Sequence, residues 1–502
     1  MKAHSQGSTT SALYTAAQVR ELDRIAIGEA GIPAYTLMTR AGEACWETLQ
    51  ARWPEARSLL VLCGTGNNGG DGFVVARLAL AASWQVQVLQ LGEPERLQGD
   101  ALRAHADFLA AGGQVAAFTA DTGLEADIIV DAMLGTGVDR PLAGDWQVAV
   151  ERVNRSARPV LAVDLPTGLQ ADTGAVSGAA IHADVTVTFI GRKAGLYTGA
   201  GPDYTGETCF TDLGVPAAVY QQVPAAGQLV RQAPLGPLAG PRIRTAHKGR
   251  HGHVLVIGGG EGMAGAARLA GEGALRSGAG LVTVATHPVH AAFVGAACPE
   301  LICHGVASGQ ELRALIKAAS VLLVGPGMGQ SGWAQSLLSA VLESPLPLVI
   351  DADALNLLAG APARRPHQVL TPHPGEAARL LHQDTAAIQC DRFAAARALT
   401  EQYGGTTVLK GAGTVIHADG QLPVVCAAGN PGMATAGMGD VLAGVIAALI
   451  AQGMDISAAA VAGVCTHACA GDAAAARGER GMLARDVIAE LRGVLNGQGS
   501  SA

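Results

Sequence analysis

The sequence predicts an α/β protein of two domains, and three observations carry that prediction. GTGNNGGDG at 64–72 and NPGMATAGMGD at 430–440 are glycine-rich loops, each joining an apolar run to a helical pattern, and they are built differently. Apolar runs of strand length alternate with helix-length segments, the rhythm of βαβ units and a mostly parallel sheet. That rhythm stops at 216–245, where Pro, Gly and Gln accumulate, and then restarts. Two unlike anion-binding loops on a chain of 502 residues, too long for one ordinary core, imply a fusion of two catalytic domains.

In chain order, a helical pattern covers 16–51. Strands are expected at 59–63, 85–90, 127–131, 160–164 and 185–190. The domain boundary is placed at 220–240, giving domains over 14–218 and 235–495. Further strands are expected at 253–257, 281–285, 321–324, 348–350 and 407–409, and the Ala-rich last 60 residues suit packed helices. The two halves are not repeats of each other.

Composition narrows the function classes. Hydrophobic residues make up 49% and charged residues 15%, as in a well-buried globular protein, and the net charge of −8 argues against a nucleic-acid partner. The N-terminus has no apolar signal core, and the longest apolar run, 441–451, is too short to span a bilayer, so no membrane association is expected. The nine Cys form no disulfide framework, which suits a reduced, cytoplasmic compartment. Cys465, His467 and Cys469 lie close together without a second ligand pair and are expected on a core helix. Only five Lys occur among 34 basic residues, and Lys193, Lys248 and Lys410 fall inside motif-like segments.

In the first loop Gly64, Gly66 and Gly69 match G-x-G-x-x-G, a weak dinucleotide signal alone. The second strand ends Gln90-Leu91-Gly92-Glu93, without the acid that would take a ribose. Asp71 is expected at a helix start, where a carboxylate caps but repels a phosphate unless a cation intervenes. With the amides of Asn67 and Asn68, the loop suits a phosphate plus a metal ion. DAMLGTGVDRP at 131–141 and DLPTG at 164–168 begin at strand ends, so Asp131 and Asp164 are expected to point into one cleft. In the second half GPGMG (325–329), DADAL (351–355), TPHPGE (371–376), KGAGTVI (410–416) and AGMGD (436–440) follow in order. Gly437 and Gly439 lead into a helix beginning near Asp440; its free N–H groups can bind a transferring phosphoryl group, and Asp440 can deprotonate an attacking hydroxyl. No P-loop signature is present.

MTRAG at 38–42, NNGGDG, DAMLGTGVDRP, DLPTG and GRKAGLYTG at 191–199 together resemble the NAD(P)H-hydrate epimerase domain. The resemblance implies a Rossmann-like three-layer αβα domain. It implies that Asn67, Asn68, Gly69, Gly70, Asp71, Gly135, Thr136, Gly137, Val138, Asp139, Arg140 and Pro141 hold the substrate. Asn68, Asp131 and Thr167 would bind K+, and Asp164 would do acid–base work with Lys193 nearby. Thr39 and Thr167 depart from the usual Glu and Ser; Thr167 keeps the hydroxyl.

HKGRHGHVLVIGGG at 247–260, PEL at 299–301 and the five loops of the second half are similar to the ADP/ATP-dependent NAD(P)H-hydrate dehydratases, a ribokinase-like α/β fold. That likeness implies that Lys410, Gly411, Ala412, Gly413, Thr414 and Gly439 bind the adenine nucleotide. Ala264, Gly327, His373 and Asp440 would contact the hydrate, and Mg2+ would bridge the phosphates. GGGEGMAG replaces the usual Ser/Tyr-containing stretch before Ala264. Together the two resemblances imply a bifunctional repair enzyme for the hydrates NADHX and NADPHX, expected as a cytoplasmic homo-oligomer. ADP versus ATP, NADH versus NADPH hydrate and the route of epimerisation stay open. A small-molecule kinase with an accessory Rossmann-like domain is the runner-up; a binding scaffold fits poorly with the negative charge and the intact Asp131, Asp164 and Lys193.

Overall fold

The computed structural model describes residues 10–136 and 141–497. The chain divides into two compact units, Ala12–Gly227 and, apart from a short N-terminal segment, Gln228–Ala502. Among the described residues, no helix is long and apolar enough to cross a membrane.

The first unit holds strands β1 (Thr10–Tyr14), β2 (Ser58–Cys63), β3 (Gln85–Gln90), β4 (Val115–Ala117), β5 (Ile128–Ala132), β6 (Val160–Val163), β7 (Val185–Phe189), β8 (Arg192–Lys193) and β9 (Glu207–Thr211). Seven form one all-parallel sheet in the order β4-β3-β2-β5-β6-β7-β9. Both faces are covered, which is why its strands read as continuous apolar runs. Leu59, Val61 and Cys63 of β2 face one core with Phe73, Val74 and Phe108. Leu60 and Leu62 face the other with Ala149, Val150 and Val153 of helix Asp145–Arg155. The three-layer α/β architecture is the one expected. The helical pattern at 16–51 is two helices, Ala16–Gly28 and Ala34–Arg52; Gly31 at φ +71° and Pro33 break it. Outside the sheet β1 pairs parallel with β8, placing Tyr14 beside Lys193.

The second unit holds β10 (Gly227–Val230), β11 (His253–Ile257), β12 (Leu281–Thr286), β13 (Ile302–Gly305), β14 (Val321–Val324), β15 (Leu348–Ile350), β16 (Gln368–Leu370), β17 (Thr406–Leu409), β18 (Thr414–Ala418) and β19 (Val424–Cys426). Strands run β13-β12-β11-β14-β15-β16-β17-β18-β19-β10, parallel up to β17 and antiparallel at the β17–β18 and β18–β19 steps. Val321 and Leu323 face the core with the apolar helix Met438–Ala451, while Leu322 and Val324 are buried on the opposite face, where helix Gly332–Leu342 lies. Cys465 and His467 are buried on helix Ile456–Ala475, as expected of a core helix.

Candidate functional site

In each unit motif-bearing loops leave the carboxyl ends of neighbouring parallel strands, and in the second unit the AGMGD loop follows β19, which two antiparallel steps return to the direction of β17, so topology gathers them along one edge. In the first unit these are the ends of β2, β5, β6 and β7.

Helix Asn67–Ala81 begins directly after β2, with Gly66 as a cap that offers no side-chain acceptor, leaving first-turn N–H groups for a ligand. The turn is tight: a Cβ on Gly69 would lie 2.0 Å from the Gly64 carbonyl oxygen, so Gly69 has a packing role whatever it binds. Asp71 is not a cap, because the helix starts four residues before it. Burial, followed by repulsion from Asp164 and Asp23, pushes its carboxyl well above the usual range. Asn68 lies beside Gly135, and its Nδ2 is buried with no partner among the described residues. Gln90, where a dinucleotide fold would carry its ribose acid, is buried and donates to the carbonyls of Cys63 and Leu91 at 3.1 and 3.0 Å. Gly137, Val138, Asp139 and Arg140 lie outside the described residues; Thr136 is half-buried and Pro141 exposed.

Asp131 does not open into the cleft with Asp164. It is fully buried, its Oδ1 accepts from the Thr167 hydroxyl at 2.7 Å and the Met133 N–H at 3.2 Å, and its Oδ2 accepts from the Thr167 N–H at 2.7 Å. The Thr167 hydroxyl in turn accepts from Leu134 N–H at 3.0 Å, so this pair sews the loop after β5 to the loop after β6. Burial raises the Asp131 pKa to about 6, against the hydrogen bonds that lower it. Asp164 leaves β6 with φ +67°, a left-handed conformation rare for a side-chain-bearing residue. Its Oδ1 accepts from Lys193 Nζ, from Thr188 Oγ1 at 3.2 Å and from Phe189 N–H at 3.3 Å. Lys193, itself buried, also donates to Thr188 Oγ1 and the Phe189 carbonyl, so all three of its N–H donors are engaged. Asp23 joins this group. Burial lifts its pKa to about 6; the Lys193 ammonium opposes the shift and Asp164 adds to it. No motif pointed to Asp23: it sits on helix Ala16–Gly28, brought over the site by the pairing of β1 with β8.

The second unit assembles a similar edge. Lys410, the first residue after β17, places Nζ 2.8 Å from Asp351 Oδ1 and 3.8 Å from Glu376 Oε2. Burial works against its charge, but those two carboxylates hold its pKa above the ordinary value. Asp351, after β15, is buried and also accepts from Thr371 Oγ1 at 2.7 Å. A Cβ on Gly439 would lie 3.2 Å from Lys410 Nζ, so the ammonium sits over the first turn of helix Met438–Ala451. That helix starts from Gly437 at φ +88°, with no side-chain cap. Asp440, in the first turn, has its pKa raised to about 7, by burial first and then by Asp351, with Asp353 and Glu376 adding and Lys410 opposing. His373 caps helix Pro374–Leu381: its Nδ1 accepts from Gly375 N–H at 3.0 Å, and burial lowers its pKa. With Nδ1 accepting that N–H, the ring presents Nε2 as its donor, and Nε2 stands 3.5 Å from Glu376 Oε1. Ala264 begins helix Ala264–Arg276, and a Cβ on Gly327 would lie 2.8 Å from the Met263 carbonyl, so those two predicted contacts are neighbours. Thr414 Oγ1 donates to the Gly411 carbonyl at 3.0 Å. Asp351, Asp353 and Glu376 sit inside motifs already noted, yet their side-chain directions needed the fold. Asp353 accepts from Gly329 N–H at 2.8 Å, tying the GPGMG loop to DADAL.

A family described as YjeF-related protein N-terminus matches residues 34–195, and one described as NAD(P)H-hydrate dehydratase matches 254–492. The bifunctional NAD(P)H-hydrate repair enzyme Nnr of Coxiella burnetii is 48% identical, covering 96% of this chain and 99% of its own length. The chain belongs to the bifunctional NAD(P)H-hydrate repair enzymes. The Escherichia coli repair enzyme of the same name is 44% identical, covering 96% of this chain and 94% of its own. The ADP/ATP-dependent NAD(P)H-hydrate dehydratase of Bacillus subtilis, co-crystallised with ATP and Mg2+, is 28% identical over 51% of this chain and 92% of that one, with a TM-score of 0.45. In this repair enzyme the two family matches fall one in each compact unit.

Proposed function

We propose that residues 14–218 epimerise the R and S hydrates of NADH and NADPH at C6, and that residues 235–495 dehydrate the S form with phosphoryl transfer from ADP or ATP. One observation carries the second activity: Asp440, with a pKa near 7, stands in the first turn of an uncapped helix beside the Lys410 ammonium. A base poised near neutrality beside an anion hole is what hydroxyl activation for phosphoryl transfer requires.

In the dehydratase, the Asp440 carboxylate takes the C6 hydroxyl proton. The oxygen attacks the terminal phosphoryl, and the bond to the departing nucleotide breaks, leaving AMP from ADP. The ring nitrogen lone pair then expels phosphate from C6, and loss of the C5 proton restores the dihydronicotinamide. Lys410, Gly411, Ala412, Gly413, Thr414 and Gly439 bind the nucleotide; Ala264, Gly327 and His373 orient the hydrate. Mg2+ would enter with the nucleotide and offset phosphate charge; among the described residues no group of three or more carboxylate, His or Cys side chains is placed to hold it alone.

In the epimerase, Asp164 is the acid–base group and Lys193 holds it in place, because the Lys193 donors are engaged by protein acceptors. Asn67, Asn68, Gly69, Gly70, Asp71, Gly135, Thr136 and Pro141 line the substrate, with the buried Asn68 Nδ2 as a donor that has no acceptor among the described residues. Asn68, Asp131 and Thr167 present an amide, a carboxylate and a hydroxyl, the oxygen chemistry of a K+ site. K+ would there neutralise the buried Asp131 charge. The free cysteines suit a cytoplasmic setting.

The test is incubation with mixed R and S hydrates plus ADP or ATP, following absorbance of the restored cofactor. Full recovery with nucleotide and none without is expected; nucleotide-independent recovery refutes phosphoryl transfer. The pH profile follows from Asp440. Only its ionised form accepts a proton, so kcat/KM for the S hydrate falls about tenfold per pH unit below a pKa near 7 and levels off above it. A profile flat from pH 5 to 8 contradicts Asp440 as the base.

A further inference from the structure

The loop that carries Lys410 rests on a buried arginine that no sequence motif singles out. Arg392 opens helix Arg392–Tyr403 and is 1% exposed. Its Nη2 donates to the Leu409 carbonyl at 3.0 Å and the Lys410 carbonyl at 3.2 Å, the last of β17 and the first of the loop. Its Nη1 donates to Gln389 Oε1 at 2.7 Å. Gly411, at φ +140°, lies against the same guanidinium: a Cβ there would come 3.0 Å from both Nη1 and Nη2.

These contacts fix the orientation of one peptide unit. In a planar trans peptide the carbonyl and the following N–H point in opposite directions. The Lys410 carbonyl is aimed at the buried guanidinium, so the Gly411 N–H is aimed away from it. Gly411 is exposed, so burial does not keep a ligand from that N–H. A cation on the carbonyl also polarises the peptide and strengthens its N–H as a donor.

We propose that Arg392 is a positioning residue for the nucleotide: it turns and polarises the Lys410–Gly411 peptide so that the Gly411 N–H donates to an anionic oxygen of the ADP or ATP phosphate chain. The proposal deepens the phosphoryl-transfer reading and rests on it. A purely structural arginine would close the end of β17 without favouring one substrate. A positioning arginine ties its effect to the nucleotide.

The experiment is steady-state repair of the S hydrate by full-length R392M, varying ADP and hydrate separately. The KM for ADP is expected to rise about tenfold or more, the scale of a charge-assisted hydrogen bond. The hydrate KM, and kcat at saturating ADP, are expected to stay within about threefold of the parent. Exposed Gln389 gives the milder variant Q389L, which removes one anchor of the guanidinium, a charge-assisted bond weakened by solvent, and is expected to raise the ADP KM about two- to fivefold. The proposal is overturned by an R392M with parental ADP KM, or by one whose ADP and hydrate KM rise together while kcat falls. Should R392M not fold, a parental ADP KM in Q389L overturns it. A parent enzyme without nucleotide-dependent repair refutes the phosphoryl-transfer reading instead.

Discussion

Asp440→Asn is expected to abolish nucleotide-dependent repair of the S hydrate while leaving a folded protein. An amide has nearly the shape of the carboxyl but cannot accept the C6 hydroxyl proton, and loss of a positioned general base costs about 10²–10⁴ in rate. Stability is expected to move the other way. The folded-state pKa of Asp440 is about 7, above the ordinary aspartate value of 3.8, so the fold favours the protonated form. As pH rises between those two values the unfolded chain ionises this group first and the folded state is progressively penalised. At pH 8, above both values, nearly the whole penalty applies; it comes first from burial of the carboxylate and then from Asp351, Asp353 and Glu376, with Lys410 opposing. A neutral Asn removes it, so unliganded D440N should melt no lower than the parent at pH 8. Near-normal turnover by D440N would sink the assignment of Asp440 as base; a sharp loss of thermal stability would make its inactivity uninformative and contradict the electrostatic account.

What the sequence disclosed and what it withheld follow one physical line. Strand positions were legible because sheets covered on both faces leave unbroken apolar runs; the runs at 253–257, 321–324 and 348–350 are β11, β14 and β15 themselves. Loop chemistry was legible because parallel topology sends every loop at a strand's carboxyl end to one edge. Side-chain direction was not. Asp131 and Asp164 both begin loops at strand ends, yet Asp131 turns inward to fasten Thr167 and Met133, while Asp164 turns out through a left-handed backbone. Asp71 looked like a helix cap because Gly66, the actual cap, has no side chain to announce it. Asp23 and Arg392 were invisible for another reason. Each reaches its site from a helix outside the motifs, Asp23 through the pairing of β1 with β8 and Arg392 through packing beneath the end of β17. No local pattern encodes such contacts.

Asp164 offers the sharpest test of the first site. Asp164→Asn is expected to stop interconversion of the R and S hydrates while the S hydrate is repaired at the parental rate, because the two family matches fall in different units. Asn is the better replacement than Ala on two grounds. It is among the residues that tolerate the left-handed backbone found at φ +67°, and it keeps an oxygen for Lys193. Ala would leave the buried Lys193 ammonium without its carboxylate, a loss of about 3–5 kcal/mol for a broken buried pair, so D164A should be destabilised as well as inactive. Asp131→Ala should behave differently. Removing its carboxylate frees Thr167 and Met133 together, so the cation site and the loop around the nucleotide should loosen at once. Substrate affinity and K+ dependence should weaken, and the unit should melt earlier. The assay is repair of pure R hydrate with ADP, with and without K+. A control lacking residues 14–218 measures spontaneous isomerisation. If D164N repairs R hydrate as fast as the parent while that control stays slow, Asp164 is a structural residue, held by Lys193 for the sake of the loop, and the acid–base role passes to the neighbouring carboxyls of Asp71 and Asp23.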